Sequence, residues 1–137
     1  MSEAAMDRFE IRLGEEGYPE SVAELPDPPS VLYGRGDPSA LSTPALSIIG
    51  SRRASPYGIA VAELTGRIAA ESGVTVVSGG ARGCDQAAGR AALDAGGRHV
   101  VVLGTGADVV YPATSRTLID RAIDASGCAL SIEPWGT

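Results

Sequence analysis

Twice in this chain an apolar run stops at a glycine-rich turn that carries arginine and opens onto a helical pattern. The first is Ile48-Ile49-Gly50-Ser51-Arg52-Arg53 and the second Val76-Val77-Ser78-Gly79-Gly80-Ala81-Arg82-Gly83. A strand that feeds a helix through a short turn, repeated, implies parallel neighbours joined by right-handed crossovers. In such sheets ligands bind in the crevice outside the carboxyl ends of the strands, and glycine lets backbone N–H groups approach a phosphate. Two such turns side by side suggest an anion site.

The rest of the pattern extends this alternation. Ala45–Ile49 reads as a buried strand, and Val61, Leu64 and Ile68 recur at helical spacing within Tyr57–Ser72, so they are expected on the helix's inner face. Val74–Val77 reads as the second strand and the alanine-rich Cys84–Ala95 as a helix pressed close to a sheet. His99–Leu103 is the third strand, Gly104–Pro112 a loop and Ser115 a helix N-cap. Leu118, Ile119, Ala122 and Ile123 form the inner face of the last helix, and Cys128–Ile132 is the fourth strand. The expected fold is α/β, a Rossmann-like open, mostly parallel sheet with helices on both faces. Residues 1–17 read as an acidic arm, frayed or a short helix, and 18–137 as the Rossmann-like domain. The domain opens with a proline-rich extended segment in which Val31-Leu32-Tyr33 is a short strand.

The net charge of −6 argues against a polyanionic partner until its distribution is considered. Residues 1–24 hold seven acidic groups against two arginines, so the acidity belongs to the arm. All eleven basic residues are arginine, which excludes a P-loop lysine, a Schiff base and a lysine general base. Arginine suits bidentate phosphate contacts, although genome composition accounts for the bias equally well. Cys84 and Cys128 lack metal-ligand spacing and read as reduced thiols, and the single His99 completes no zinc site with them. No apolar run approaches membrane-spanning length and no signal peptide is visible, which places the chain in the cytoplasm.

A dinucleotide site needs G-x-G-x-x-G after the first strand and an acid at the end of the second; here Ser78 stands at the acid's position. Serine catalysis needs a base, and His99 reads as a satisfied edge residue. A first-turn aspartate such as Asp85 is usually a helix cap, so no residue set commits the chain to catalysis, metal or cofactor. What remains is phosphate binding by Gly50, Ser51, Arg52, Arg53, Ser78, Gly79, Gly80, Arg82 and Gly83, supported by Asp85, Gly104, Thr105 and Gly106. In the alternative, the glycines only permit tight turns and the arginines pair with carboxylates.

With their surroundings these turns resemble the DprA/Smf family of DNA-processing proteins. The likeness runs from Tyr18-Pro19 through Leu25-Pro26-Asp27-Pro28-Pro29, Leu32-Tyr33-Gly34-Arg35-Gly36, both turns and Asp85. It continues through Ala91-Ala92-Leu93, Gly96-Gly97, Val102-Leu103-Gly104-Thr105-Gly106 and Tyr111-Pro112 to Ser131-Ile132-Glu133. The resemblance implies a Rossmann-like domain that binds single-stranded DNA, dimerises and helps load the RecA recombinase in natural transformation, with no membrane partner. By that analogy Gly50, Ser51 and Arg52 hold backbone phosphates, with Ser78, Gly79, Gly80 and Arg82 beside them.

Three features depart from the family: after the second turn Cys84 stands where it has isoleucine and Gly89 or Arg90 near where it has histidine, its core continues beyond this chain's last residue, and the negative charge is unusual for a DNA binder. A bare strand at Cys128–Ile132 would then expose an edge, from which a homodimer is expected. The alternative function is a small Rossmann-like protein that binds a nucleotide or a nucleotide-derived signal, with hydrolysis its weaker half.

Overall fold

In a computed structural model that describes residues 7–137, the strands join in one six-stranded sheet. They are β1 (Arg8–Arg12), β2 (Val31–Gly36), β3 (Ala45–Ser47), β4 (Thr75–Ser78), β5 (His99–Val102) and β6 (Cys128–Ser131), in the spatial order β1-β2-β6-β5-β4-β3. β3 to β6 are parallel, while β2 is antiparallel to both β6 and β1. The helices are α1 (Glu20–Ala23), α2 (Pro56–Glu71), α3 (Cys84–Asp94) and α4 (Arg116–Asp124), with 3-10 turns at Pro38–Ser42 and Ala113–Ser115.

Because the four parallel strands lie in sequence order, right-handed crossovers put the three long helices on one face, not on both as expected. There Val76 packs under Ala62, Ala69, Ala87, Ala88 and Ala92, and Val101 and Ala129 pack under Ile119 and Ala122. The second face carries the 3-10 turn Pro38–Ser42 and its neighbours: Ala40, Leu41, Tyr18 and Phe9 lie on Leu32, Val100, Cys128 and Leu130. The proline-rich segment thus closes the core from below.

Several further expectations change. The N-terminal arm is neither frayed nor helical beyond its first six residues, which lie outside the described ones; Arg8–Arg12 is an edge strand paired along β2. Phe9 lies over Gly34, where a Cβ would collide with its ring. β6 is not a bare edge, since it runs between β2 and β5; the edge strands of the sheet are β1 and β3. Ser115 does not cap α4 with its side chain; its hydroxyl donates to the Pro112 carbonyl at 2.7 Å.

Another change concerns α2. Ser55 caps it by accepting the Gly58 N–H at 3.1 Å, with Pro56 at the first helical position. Its buried residues are Ala62, Gly66 and Ala69, whereas Val61, Leu64 and Ile68 are each about half exposed. The reason is the closeness of α3: a Cβ on Gly66 would overlap the Ala88 carbonyl oxygen. Only small residues can face that contact.

His99 is not the satisfied edge residue expected from sequence: it sits in an interior strand and is fully buried. Its Nδ1 meets the Val76 carbonyl at 2.8 Å, while Nε2 has no partner and points at Gly89, the position on α3 where any side chain would collide with the imidazole. Burial lowers the His99 pKa, opposed by the Val76 carbonyl and then by the Asp85 charge. Cys128 is also buried, and burial followed by the charge of Asp37 pushes its thiol up to about 12.

Candidate phosphate-binding crevice

The turn after β3 and the turn after β4 are in direct contact. Gly83 has φ +83°, and a Cβ there would run into the Ser51 carbonyl oxygen, which also accepts the Cys84 N–H at 3.3 Å. A Cβ at Gly50 would stand 2.6 Å from Cys84 Sγ. Gly83 is required by the approach of the two backbones and Gly50 by the Cys84 side chain, and the approach brings the arginines together.

Above this contact opens a crevice of about 680 Å³ lined by Arg52, Arg53, Gly79, Ala81, Arg82, Gly104, Thr105, Tyr111 and Pro112. It lies beyond the carboxyl ends of β3, β4 and β5, where an open parallel sheet places its ligands. The three arginines are exposed. The four ion pairs among the described residues use Arg8, Arg12, Arg35 and Arg121, so the charges of Arg52, Arg53 and Arg82 meet no carboxylate there. Pairing of these arginines with Glu or Asp is therefore not what the fold contains.

Of the residues expected from sequence, Arg52, Arg53, Gly79, Arg82, Gly104 and Thr105 line the crevice; Gly50, Ser51, Ser78, Gly80, Gly83, Asp85 and Gly106 do not. Ser78 is buried, its hydroxyl donating to the Asp85 carbonyl at 3.2 Å. Ser51 Oγ accepts the Arg53 N–H at 3.1 Å, shaping its own turn. Gly80, with φ +72°, packs on Val101, and Gly106 packs under Pro134. Asp85 is not a helix cap: α3 begins after Gly83 without a side-chain cap, and the carboxylate leaves the helix altogether. Its Oδ1 accepts the Gly50 N–H at 3.3 Å and its Oδ2 the Gly79 N–H at 2.8 Å.

Two residues absent from the sequence-based set belong to the site. Tyr111, 72% exposed, forms one wall and offers an open aromatic face. Gln86 lies beneath, its amide donating to the Gly80 carbonyl at 3.1 Å and to Thr114 Oγ1 at 3.2 Å, so the second turn and the Tyr111 loop are joined. The Tyr-Pro pair at the end of a loop after a strand was the available signal for Tyr111. Nothing local marks Gln86.

Chemically, the crevice presents guanidinium groups and an aromatic ring without a nucleophile–base pair. Among the described residues no group of three His, Cys, Asp or Glu side chains could hold a metal ion, and no helix is long and apolar enough to cross a membrane.

The sequence model of the family described as DNA recombination-mediator protein A matches residues 10–137. Protein Smf of Synechocystis is 39% identical over 124 residues, covering 88% of this chain and 31% of the relative. DNA processing protein DprA of Streptococcus pneumoniae is 38% identical over 103 residues, 75% of this chain and 36% of its own length. The chain thus spans about a third of these curated relatives. Among solved structures, S. pneumoniae DprA superposes with a TM-score of 0.83 at 32% identity, over 93% of this chain and 44% of that one. The Helicobacter pylori protein, described for its single-stranded DNA binding mode, gives 0.80 at 32% identity, over 94% and 57%. With strands β2 to β6 and both arginine turns inside the matched span, the chain belongs to the DNA recombination-mediator protein A (DprA/Smf) family of DNA-processing proteins.

Proposed function

We propose that the crevice binds single-stranded DNA through its backbone, with Arg52, Arg53 and Arg82 on phosphates and Tyr111 stacking on a base. The observation that carries this reading is the set of three arginines that have no carboxylate partner among the described residues and surround one crevice. Guanidinium forks position a phosphate without reading sequence, and an aromatic face accepts any base. Gly80, Gly83 and Gly50 contribute by holding the turns, and Gly104 and Thr105 by forming the far wall. The acidic charge of the chain lies mainly in its first 24 residues, away from these turns in sequence.

Fluorescence anisotropy with an oligo-dT probe tests the proposal. Binding should weaken as salt rises, and Tyr111→Ala should cost about 1–3 kcal/mol per stacked base while leaving the salt dependence unchanged. An affinity untouched by Arg52→Ala would remove the site.

Family membership extends the proposal to a non-enzymatic, cytoplasmic role in which the bound strand is presented to RecA, tested by whether the chain speeds RecA filament assembly on coated DNA. The expected homodimer moves from β6 to the β3 edge, which carries the exposed Leu46. Sedimentation at high concentration tests it, and a monodisperse monomer would refute it.

The volume supports a second reading. A crevice of about 680 Å³ lies within the range of small-molecule sites, so a mononucleotide would fit. A thermal-shift screen with AMP, ADP-ribose and cyclic nucleotides separates the two, because a tight ligand of the native state raises the melting point.

A further inference from the structure

We propose that Asp85 is a positioning residue whose carboxylate ties the two arginine-bearing turns into one register, so that Arg52 and Arg82 face the same crevice; its effect on DNA rests on the phosphate reading above. Asp85 is 4% exposed, and no arginine reaches within 4 Å of it among the described residues. Its partners are backbone: Gly50 N–H from the first turn on one oxygen, Gly79 N–H from the second on the other. Its own carbonyl takes the Ser78 hydroxyl, so the end of β4 is held from two directions.

An anionic group so close to a phosphate site works against ligand binding by simple Coulomb repulsion. The geometry points to a compensating role. Two turns that begin 29 residues apart in sequence, at Gly50 and Gly79, are held by one buried side chain, and glycine at 79 is part of the arrangement, since a Cβ there would stand 2.9 Å from Asp85 Oδ2. The two N–H groups are spent on Asp85, which leaves phosphate contact to the guanidinium groups and to N–H groups further along the turns.

This makes a prediction of sign. If Asp85 acted only through its charge, Asp85→Asn would tighten binding of a polyanion. If it positions the turns, Asp85→Asn replaces one acceptor with an N–H₂ that cannot accept, frees a turn and weakens binding.

The test has two parts, both on the 137-residue chain. Amide hydrogen exchange by NMR on the wild type should show Gly50 and Gly79 both protected, and in Asp85→Asn at least one of them should exchange freely. Oligo-dT anisotropy, run well below the variant's melting temperature, should show Asp85→Asn binding about tenfold more weakly, the effect of losing one properly placed guanidinium. Free exchange of either amide in the wild type, or equal or tighter DNA binding by the variant, overturns the proposal. The wild-type exchange decides the matter even if the variant fails to fold. Wild-type protein that does not bind oligo-dT would refute the phosphate reading alone, leaving exchange to judge the turns.

Discussion

Alanine at Gly66 and alanine at Gly58 should move stability in opposite directions, although both positions lie on α2. In each case the change gains helix propensity, about 1 kcal/mol in a helix interior and less in the first turn, where Gly58 lies. The surroundings differ. A Cβ at Gly58 meets Ala54 Cβ at 3.5 Å and Ser55 Oγ at 3.6 Å, which is ordinary contact, whereas at Gly66 it overlaps the Ala88 carbonyl oxygen. That oxygen belongs to the α3 backbone and cannot rotate away, so the two helices must separate. Overpacking of this kind costs typically 1–3 kcal/mol, and a rigid backbone neighbour places Gly66 near the upper end. The net expectation is a loss of about 2 kcal/mol for Gly66→Ala and a gain of about 0.5 kcal/mol for Gly58→Ala. For a domain of this length the melting temperature should fall by about 8 °C in the first case and rise by about 2 °C in the second. Calorimetry or urea titration of the pair reads the difference. If Gly66→Ala melted with or above Gly58→Ala, the close α2–α3 contact, and with it the reason that small residues face the core, would be refuted.

Other consequences are simpler to check. His99 is the only histidine and its folded pKa lies below its ordinary 6.5, so the unfolded chain binds more protons between the two values. Stability is therefore fully present above about pH 6.5 and falls as the pH drops below it, by up to about 1.4 kcal/mol per pH unit; urea titrations from pH 7.5 to 5.5 should show this, and His99→Gln should flatten it. With its thiol pushed up to about 12 by burial, Cys128 should not react with Ellman's reagent in the native protein, so no more than one thiol, Cys84, should titrate before denaturant is added. Gly83→Ala forces a side chain at φ +83° into the Ser51 carbonyl, and should lower both the melting temperature and oligo-dT affinity.

Much of this molecule is legible in its sequence because its signals are local. Three of the four parallel strands run into a glycine turn and each long helix follows in order, so the alternation from Ala45 onward reads correctly to within a residue or two. The orientation of α2 is not legible. Val61, Leu64 and Ile68 share their helical spacing with Ala62, Gly66 and Ala69, and periodicity cannot say that close packing on α3 selects the smaller set. β1 was obscured for another reason: Phe9 and Ile11 alternate with charged residues over only five positions, and the partner strand lies about twenty residues away. At the site, the arginines announce themselves beside their glycines. The roles of Asp85 and Tyr111 depend on distant elements meeting in space, the turn after β3 for one and the loop after β5 for the other.

The central claim, that phosphates are held by these three arginines, is tested most directly by the salt dependence of oligo-dT binding. Three phosphate contacts on a single strand predict a slope of log K against log salt near −2, and Arg52→Ala should reduce its magnitude by about 0.7 and weaken binding by roughly tenfold to a hundredfold. A slope near zero, or the same slope and affinity in wild type and Arg52→Ala, would contradict it.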